Sequence, residues 1–559
     1  MLFSARRLLP LLLIALPQMV LAGEVALDAP EDIVELLEPH LPDEAGSAQA
    51  QKLSREILST EGYFSPVFEI RETDGELGLK IDPGPRTMIS SVNVTVDGKI
   101  DPKIRDEVIA DWSLPVGQPF RQEDWSNAKT QLLSRLLAND HAAAKLLDSE
   151  AEIDPPNASA KLTAHYDAGP RYRFGELRIE GLQRYTPELV QRYNRVISPG
   201  DPYRQEKLNT LQSTLQATPY FSSVSVQLDQ ETDAADGDTV DAPVVIRLRE
   251  RPTHRISFGA GASSNTGARI SANYHTPNLF NQAWTLDSGL RLEQKKQTAY
   301  TDVFFPPDEK NRRHGLGVMA EGTNIQGLQT ERYAFGAQSI QQRGSIEQRL
   351  SLQWQKEHLR PDGVAESVSI ALVPNVMWTW RKVDNLLNPQ LGTVIQAQIG
   401  GATKAVVSDQ NFLRLHSRFQ QFIPLGKNDT LILHGEIGYT AAESRQGIPQ
   451  DYLFRTGGTG SVRGYSYQSL GVKEGAAIVG GRYLAVGSIE ATHWLDESWG
   501  VAAFVDAGDA VDSLQDVRLA VGYGLGGRWR SPAGPLGIDL AYGQRTSELQ
   551  LHFSLAIPF

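Results

Sequence analysis

A glycine-rich stretch late in the chain, Thr456–Tyr465, holds the residues best suited to a specific chemical role. Its glycines surround Arg463, which is the only charged residue of the stretch. The planar guanidinium of an arginine can bind a carboxylate through two parallel hydrogen bonds. Neighbouring glycines let the backbone turn tightly and lie close to another segment. The pattern therefore predicts an internal arginine–carboxylate contact or, as the alternative, a solvated charge on an outer loop.

Other chemical signals in the chain are weaker. The spacing Gly522-x-Gly524-x-x-Gly527 matches a dinucleotide-binding fingerprint, but Arg-Trp-Arg-Ser-Pro follows where that fingerprint requires a helix. The eleven histidines show no metal-ligand spacing, and no Ser-His-Asp arrangement stands out. We therefore expect no enzyme activity, no cofactor and no metal. The formal net charge of -13 argues against a nucleic-acid partner.

The last residues of the chain alternate between apolar and polar side chains. Leu549, Leu551 and Phe553 begin one apolar face, which continues to Phe559, and the residues between them share the other face. A period of two indicates a strand with one apolar face, and about ten residues suffice for a tilted membrane-spanning strand. Similar segments recur along residues 253–559, which predicts a transmembrane antiparallel β-barrel of about 16 strands. A soluble β-sandwich or propeller is the alternative.

The first half of the chain mixes helix and strand patterns and repeats itself. The segment Leu79–Arg86 returns as Ala164–Arg171, and Arg247–Pro252 is a shortened third copy. Self-similarity over modules of this size indicates a tandem array. In the middle copy, His141–Ala144 replaces the Tyr-Phe-Ser segment found in its neighbours. We predict three tandem α/β modules with the order strand, helix, helix, strand, strand, at 23–87, 88–170 and 171–252.

The N-terminal residues 1–22 predict an export signal. Arg6 and Arg7 precede the short apolar run Leu8–Leu16, and small residues end the segment at Ala22, where we expect cleavage. An N-terminal membrane anchor is the alternative. The chain contains no cysteine, which excludes a disulfide framework and a lipoprotein cysteine. We therefore expect an exported protein of mixed fold class.

Three such modules followed by a barrel resemble the POTRA-plus-barrel proteins of the BamA and TamA superfamily, and the count of three most resembles its TamA class. Val462–Tyr465 matches the sixth-loop motif of that superfamily, Ser488–Glu490 and Phe504–Gly508 match two acid-bearing strand motifs, and Gly524–Pro535 matches the penultimate region. Strand parity places both acids opposite the apolar faces of their strands. The resemblance implies an internal latch between loop and barrel, formed by Arg463, Gly464, Tyr465, Glu490 and Asp506.

The resemblance also implies a location and a function. Such chains lie in the cell outer membrane with their POTRA modules in the periplasm, and they help to insert or translocate β-barrel proteins such as autotransporters. The partners implied are unfolded outer-membrane β-barrel clients, outer-membrane lipid and a TamB-like inner-membrane protein that docks on the first module.

The first and last barrel strands are expected to meet at a weak seam. Gly259 and Gly261 weaken the first strand, and Pro558 removes a backbone donor from the last strand, which ends at Phe559. Such a seam could open laterally and template an incoming strand. Ordinary geometry at strand ends explains the same residues equally well.

A protein-exporting pore of the two-partner secretion kind is the alternative function. That class resembles this chain in its barrel and loop motif, but it typically has two modules and an N-terminal plug helix. Here we count three modules, and Glu31–Leu41 reads as part of the first one. A surface enzyme such as a barrel phospholipase would need a nucleophile constellation that the sequence does not show.

Overall fold

The computed structural model describes residues 26–41, 47–73, 76–230, 239–386, 388–426, 428–531 and 534–558. The predicted export signal at 1–22 and Phe559 of the predicted seam lie outside these residues. The chain divides into two compact units. The described residues of Met1–Arg178, Val196–Gln212 and Ser225–Ile246 form one, and those of Ile179–Arg195, Ser213–Val224 and Arg247–Phe559 form the other. Among the described residues, every helix is too short or too polar to cross a membrane.

Residues 26–250 contain three α/β repeats, each in the order strand, helix, helix, strand, strand, and in each the last strand is central in a three-stranded sheet. The elements are β1 Ala26–Asp28, α1 Glu31–Leu37, α2 Ser47–Thr60, β2 Val67–Thr73, β3 Glu76–Asp82, β4 Met88–Asp97, α3 Pro102–Ala110, α4 Gln122–Ala138, β5 Lys145–Asp154, β6 Ser159–Asp167, β7 Arg171–Glu180, α5 Pro187–Tyr193, α6 Gln205–Gln216, β8 Phe221–Leu228 and β9 Thr239–Glu250.

Amphipathic spacing explains the longest of these helices. In α4, Trp125, Ala128, Leu132 and Leu136 recur every three or four residues, so they lie on one face. All four are buried in a core that also contains Leu162 of the central strand β6. The helix is therefore held on its sheet mainly by apolar packing.

The first and second repeats meet at a tight backbone turn. Gly62 has φ +95°, and a Cβ there would lie 2.3 Å from the carbonyl oxygen of Phe120, so only glycine fits. The N–H of Thr87 donates to the Gly62 carbonyl (2.8 Å). Arg121 binds the Glu61 carboxylate with both Nε (2.7 Å) and Nη2 (3.0 Å). The two repeats are thus joined by backbone and ionic contacts together.

The second and third repeats meet through the same backbone device with different residues. Asp140 takes the place of the glycine with φ 54°, and the N–H of Tyr172 donates to its carbonyl (2.6 Å). Aspartate tolerates this left-handed conformation better than most residues. The repeat is therefore preserved in structure at Asp140–His141, where the sequence departs from its neighbours.

The C-terminal part is a closed antiparallel barrel of sixteen strands, which confirms the predicted barrel. Its strands are β10 Arg255–Ser263, β11 Gly267–Leu279, β12 Trp284–Glu293, β13 Lys296–Phe304, β14 Arg312–Ile325, β15 Leu328–Arg343, β16 Ile346–Pro361, β17 Ser367–Val383, β18 Gly392–Ala402, β19 Phe412–Leu425, β20 Asp429–Ala441, β23 Tyr483–Trp494, β24 Trp499–Val511, β25 Ala520–Ser531, β26 Gly534–Gly543 and β27 Glu548–Pro558, and the hairpin β21 Val472–Glu474 and β22 Ala477–Val479 lies in the connection after β20.

Alternation divides the side chains of the barrel between two faces. Ile538 and Leu540 of β26 are exposed on the outer wall, whereas Asp539 between them is buried on the inner wall. This is the pattern of strands with lipid on one side and a polar lumen on the other. Closure between β10 and β27 pairs backbone groups that lipid could not satisfy.

Candidate functional site

The connection between β20 and β23, residues 442–482, folds back against the inner wall of the barrel, and we call it the lumenal loop. Val462 and Tyr465 of this loop are buried in one cluster with the inward-facing Leu484, Val486 and Ala510. The glycine-rich stretch therefore lies inside the barrel and not on its outer surface.

Arg463 of the lumenal loop is held by acids from three strands. Its Nε and Nη2 donate to the two carboxylate oxygens of Asp506 at 2.7 and 2.9 Å, and its backbone N–H donates to the same group at 3.0 Å. Its Nη1 donates to Glu490 at 2.6 Å and to Asp539 at 3.2 Å. The hydroxyl of Ser488 also donates to Asp506 (2.6 Å). Asp506 has 0% of its surface exposed, so this contact is fully withdrawn from solvent.

A second arginine completes the ionic cluster. Arg528 of β25 donates from Nε to Glu490 (3.0 Å) and from Nη1 to Asp539 (2.5 Å). The ring of Phe504 lies under the Arg463 guanidinium, 3.4 Å from its carbon to the ring centroid. Two cations and three carboxylates are thus interlocked, and we call them the Arg463 cluster.

Glycines allow the loop to approach the wall closely. A Cβ at Gly522 would lie 1.8 Å from the carbonyl oxygen of Arg463, and one at Gly543 would lie 2.3 Å from that of Gly464. Gly464 itself has φ +86° and would meet the backbone of Tyr542 at 2.9 Å. Backbone-to-backbone contact of this kind requires residues without a side chain on both surfaces.

The residues after Arg463 bind the last strands. The N–H of Gly464 donates to Nε2 of His552 on β27 (2.9 Å). The Tyr465 hydroxyl donates to the carbonyl of Val521 (3.0 Å) and accepts the N–H of Arg545 (2.9 Å). The loop therefore contacts every strand from β23 to β27.

The structure brings together all five residues of the predicted latch, and it adds three that the sequence reasoning missed. Asp539, Arg528 and His552 contact the same loop segment or its partners. Asp539 lies on the inward parity of its strand, which was a usable signal. No motif marked it, however, and its contact depends on the register between strands.

The opposite wall of the barrel holds the first part of the lumenal loop. The N–H of Gln450 donates to the buried Glu357 of β16 (2.8 Å). Asp451 pairs with Arg332 of β15, whose Nη2 also donates to Glu321 (3.0 Å). The loop thus crosses the lumen and is fixed on two facing walls.

The tip of the lumenal loop reaches both sides of the seam. The side-chain amide of Asn265, in the hairpin after β10, donates to the Thr459 hydroxyl (2.8 Å) and accepts the Thr459 N–H (3.2 Å). On the other side of the seam, Ser466 and Gln550 of β27 are within 3.3 Å. The tip therefore bridges the first hairpin and the last strand.

The seam between β10 and β27 is shorter than the neighbouring strand pair. Gly259 pairs with Pro558, and Gly261 pairs with Ala556, within a ladder that ends at Ser263. Pairing between β10 and β11 runs from Arg255 through to Ser263. Within the described residues, the segment Arg255–Phe258 has no partner on β27, and we call this segment the open end of the β10 edge.

The Arg463 cluster is suited to fixing the lumenal loop on the barrel wall. A buried ion pair is stable only while each charge keeps its partner, because one that remains alone is costly. In the described part of the chain, no group of three or more His, Cys, Asp or Glu residues is placed to hold a metal ion.

Comparison with known proteins agrees with this architecture. A model described as the Omp85 superfamily domain matches residues 253–559, which is more than half of the chain. The POTRA family model, described as a surface antigen variable number repeat, matches residues 172–251.

Individual relatives share about a quarter of their residues with this chain. The outer membrane protein assembly factor BamA of Neisseria meningitidis serogroup B is 25% identical over 76% of this chain and 57% of that protein. BamA of Neorickettsia risticii is 24% identical over 91% of this chain and 71% of that protein. BamA of Nitratidesulfovibrio vulgaris is 25% identical over 65% of this chain and 47% of that protein. The chain thus spans about half of the length of the Neisseria and Nitratidesulfovibrio relatives.

A solved structure shares the fold. The crystal structure of BamA from Haemophilus ducreyi lacking POTRA domains 1-3 superposes with a TM-score of 0.74 at 18% identity, over 84% of this chain and 100% of that one. Because the Omp85 model matches more than half of the chain, the chain belongs to the Omp85 superfamily, with its barrel in the outer membrane and its POTRA domain in the periplasm.

Proposed function

We propose that this chain is an assembly factor that helps to insert or translocate β-barrel proteins, autotransporters in particular, in the outer membrane. The name of its BamA relatives, outer membrane protein assembly factor, supports the general activity. The open end of the β10 edge is the observation that carries the proposal for this chain.

That open edge offers what an unfolded strand needs. Arg255–Phe258 presents backbone donors and acceptors without a partner on β27 among the described residues. Ile256 and Phe258 are 64% and 60% exposed on the outer wall. An extended segment can add to such an edge by main-chain hydrogen bonds, with its own apolar side chains facing lipid. Lateral opening of the short ladder Gly259–Ser263 would lengthen the template.

We further propose that all three α/β repeats are POTRA modules of a TamA-like chain. The strands β2 and β5 lie at the outer positions of their sheets, and Ile70 of β2 is 52% exposed. These edges suit β-augmentation by clients or by a TamB-like inner-membrane partner at the first repeat. A photo-crosslinker at Ile70 should capture that partner, whereas one at the equally exposed Val116 of the second repeat should not.

The Arg463 cluster is proposed to act as the latch of this machine, which performs no catalysis itself. By tying β23–β27 to one loop, it keeps the last strands in register while the ladder to β10 opens. Energy for assembly then comes from folding of the client or from the inner-membrane partner.

Locking the seam tests the proposed function. The chain lacks cysteine, so the paired positions of Ala260→Cys and Ile557→Cys would form one defined disulfide in the oxidising periplasm. We expect loss of surface display of an autotransporter, and recovery with reductant. Ala491→Cys with Ala503→Cys, a directly paired position in the wall, is the matched control and should leave display unchanged.

A folded barrel changes its mobility in gel electrophoresis when it is heated. This mobility shift must be the same in both locked variants, which would show that neither lock unfolds the barrel. Equal display in the seam lock and the wall lock would refute lateral opening. Export of a single secreted client through the locked seam variant would instead support the two-partner secretion pore.

A further inference from the structure

A cationic pocket lies at the end of the barrel where Arg255 begins β10. It has a volume of about 600 Å³. It is lined by Arg192 at the end of α5, by Arg195 just after that helix, and by Lys310 and its neighbours in the turn between β13 and β14. These residues belong to the same compact unit. Arg195 donates to the carbonyl oxygen of Asp308 (2.6 Å) and also to that of Glu309. The turn and the end of the helix are thus fixed against each other, and we call this cavity the rim pocket.

The rim pocket carries an excess of positive charge. Asp308 accepts the N–H of Arg312 at 2.8 Å and is paired with its guanidinium, also at 2.8 Å. These contacts hold the pKa of Asp308 below its ordinary value, and they neutralise its charge. Arg192, Arg195 and Lys310 therefore face one remaining acid, Glu309. This surplus occurs in a chain whose net charge is -13, so it is a local feature.

Aromatic side chains place the rim pocket at the level of lipid headgroups. Trp284 and Phe305 are in edge contact with ring centroids 4.8 Å apart, and Phe280 lies 6.4 Å from Trp284. Phe280 is 76% exposed. Exposed aromatic rings at the end of a barrel form the girdle at the membrane interface. Phe305 precedes the turn that lines the pocket, so the pocket opens at the periplasmic leaflet.

An apolar groove lies in the outer wall formed by β10–β14. It has a volume of about 680 Å³. Its floor contains Ala299 and Ala320, which are directly paired small residues, and its sides include the exposed Leu290 and Val318. The hydroxyl of Ser288, which also lines it, bonds to Thr301 at 2.8 Å. The groove is therefore apolar towards lipid, and we call it the wall groove.

We propose that the rim pocket and the wall groove together bind one phospholipid with a negatively charged headgroup from the periplasmic leaflet. Strands β13 and β14 both line the wall groove, and the turn that joins them lines the rim pocket together with Arg312 of β14. Successive residues of a strand advance about 3.3 Å. A lipid with its phosphate beside Arg192 and Lys310 would extend its chains along these strands towards Ala299 and Ala320. Charge attracts the phosphate and apolar contact holds the chain, so neither cavity alone accounts for both ends of the ligand.

Titration of the full-length chain with defined lipids tests this site. In native mass spectrometry from detergent, phosphatidylglycerol should be retained better than phosphatidylcholine with the same acyl chains. Each basic residue near an anionic headgroup contributes about fivefold to the binding affinity. Arg192→Gln with Lys310→Gln should therefore weaken the binding of phosphatidylglycerol by roughly 25-fold. Filling the wall groove with Ala299→Leu and Ala320→Leu should weaken the binding of both phosphatidylglycerol and phosphatidylcholine.

Matched controls separate the site from general charge and surface effects. Lys52→Gln with Lys103→Gln removes two exposed cations elsewhere, and Ala491→Leu with Ala503→Leu enlarges another directly paired alanine couple. Both controls should retain lipid as the original chain does. Unchanged retention in the pocket variant or the groove variant, or an equal loss in its control, would overturn the proposal. Full displacement of phosphatidylglycerol by inorganic phosphate would identify a soluble-phosphate site and also overturn it.

Discussion

Replacing Arg463 with alanine is the most direct perturbation of the latch. In the structure this removes the cation that contacts Asp506, Glu490 and Asp539. Arg528 then remains as the one cation of the cluster, facing three carboxylates. Removing one partner of a buried ion pair typically costs about 3–5 kcal/mol, because the other charge is left without compensation. We expect a loss of this size for Arg463→Ala.

Stability is measured by unfolding the purified chain in denaturant and monitoring the folded barrel by its gel mobility with and without heating. Function is measured as surface display of an autotransporter in cells that lack the original chain. Arg463→Lys keeps the charge but loses the planar fork, so its stability and its surface display should lie between those of the original chain and those of Arg463→Ala. Lys473→Ala removes an exposed cation from the same loop and should change stability by less than about 0.5 kcal/mol.

A double-mutant cycle gives the sharpest result. Arg463→Ala combined with Asp506→Ala should cost much less than the sum of the two single changes, since the second removes the charge that the first leaves unpaired. If Arg463→Ala matches Lys473→Ala in both stability and display, the cluster is not a latch and the reasoning is refuted. Loss of stability with normal display would restrict its role to the barrel itself.

Three further predictions follow from separate contacts. Gly522→Ala places a methyl 1.8 Å from the Arg463 carbonyl and should destabilise the barrel by about 1–3 kcal/mol, whereas Gly527→Ala on the same strand meets nothing within 4 Å and should be tolerated in the same unfolding assay. Asn265→Ala removes two hydrogen bonds between the first hairpin and the lumenal loop, worth about 1 kcal/mol each, so amide exchange along the seam should accelerate and exchange elsewhere should not. Burial lowers the pKa of His141 from 6.5. The stability that the neutral ring gives to its junction is therefore complete above pH 6.5 and is lost as the pH falls through the lowered pKa. Limited proteolysis of the full chain should increase on acidification, and less so in His141→Asn; identical pH profiles of proteolysis for the original chain and the variant would contradict this.

The sequence was a good guide wherever a pattern is local. Alternation identified the barrel because each strand must satisfy lipid on one face and the lumen on the other. The inward parity of Glu490 and Asp506 followed from the same period. Arg528 and His552 were missed because their approach to the loop depends on how neighbouring strands are staggered, which residue spacing does not specify.

Long-range placement limited the sequence reasoning in two other regions. Asp140 adopts the conformation of Gly62 at the equivalent junction, so the structural repeat continues where the sequence repeat is lost. Arg192 and Lys310 are far apart in the chain, and only the fold brings them to one cavity. In both places the arrangement depends on how the backbone folds, which the order of residue types along the chain does not reveal.

The distribution of contacts around the lumenal loop explains how a weak seam is compatible with a stable barrel. The loop is tied to β23–β27 by the Arg463 cluster and to the facing wall by Asp451 and Gln450. Among the described residues, its hydrogen bonds to the β10–β13 side are those between Thr459 and Asn265. Opening the seam therefore breaks a short ladder, the hydrogen bonds between Ser264 and Phe553 that extend it, and the two hydrogen bonds between Thr459 and Asn265. The buried ion pairs stay intact. The Arg463 cluster lies on the β27 side of the seam, so the contacts that hold the last strands to the loop do not have to break when the seam opens.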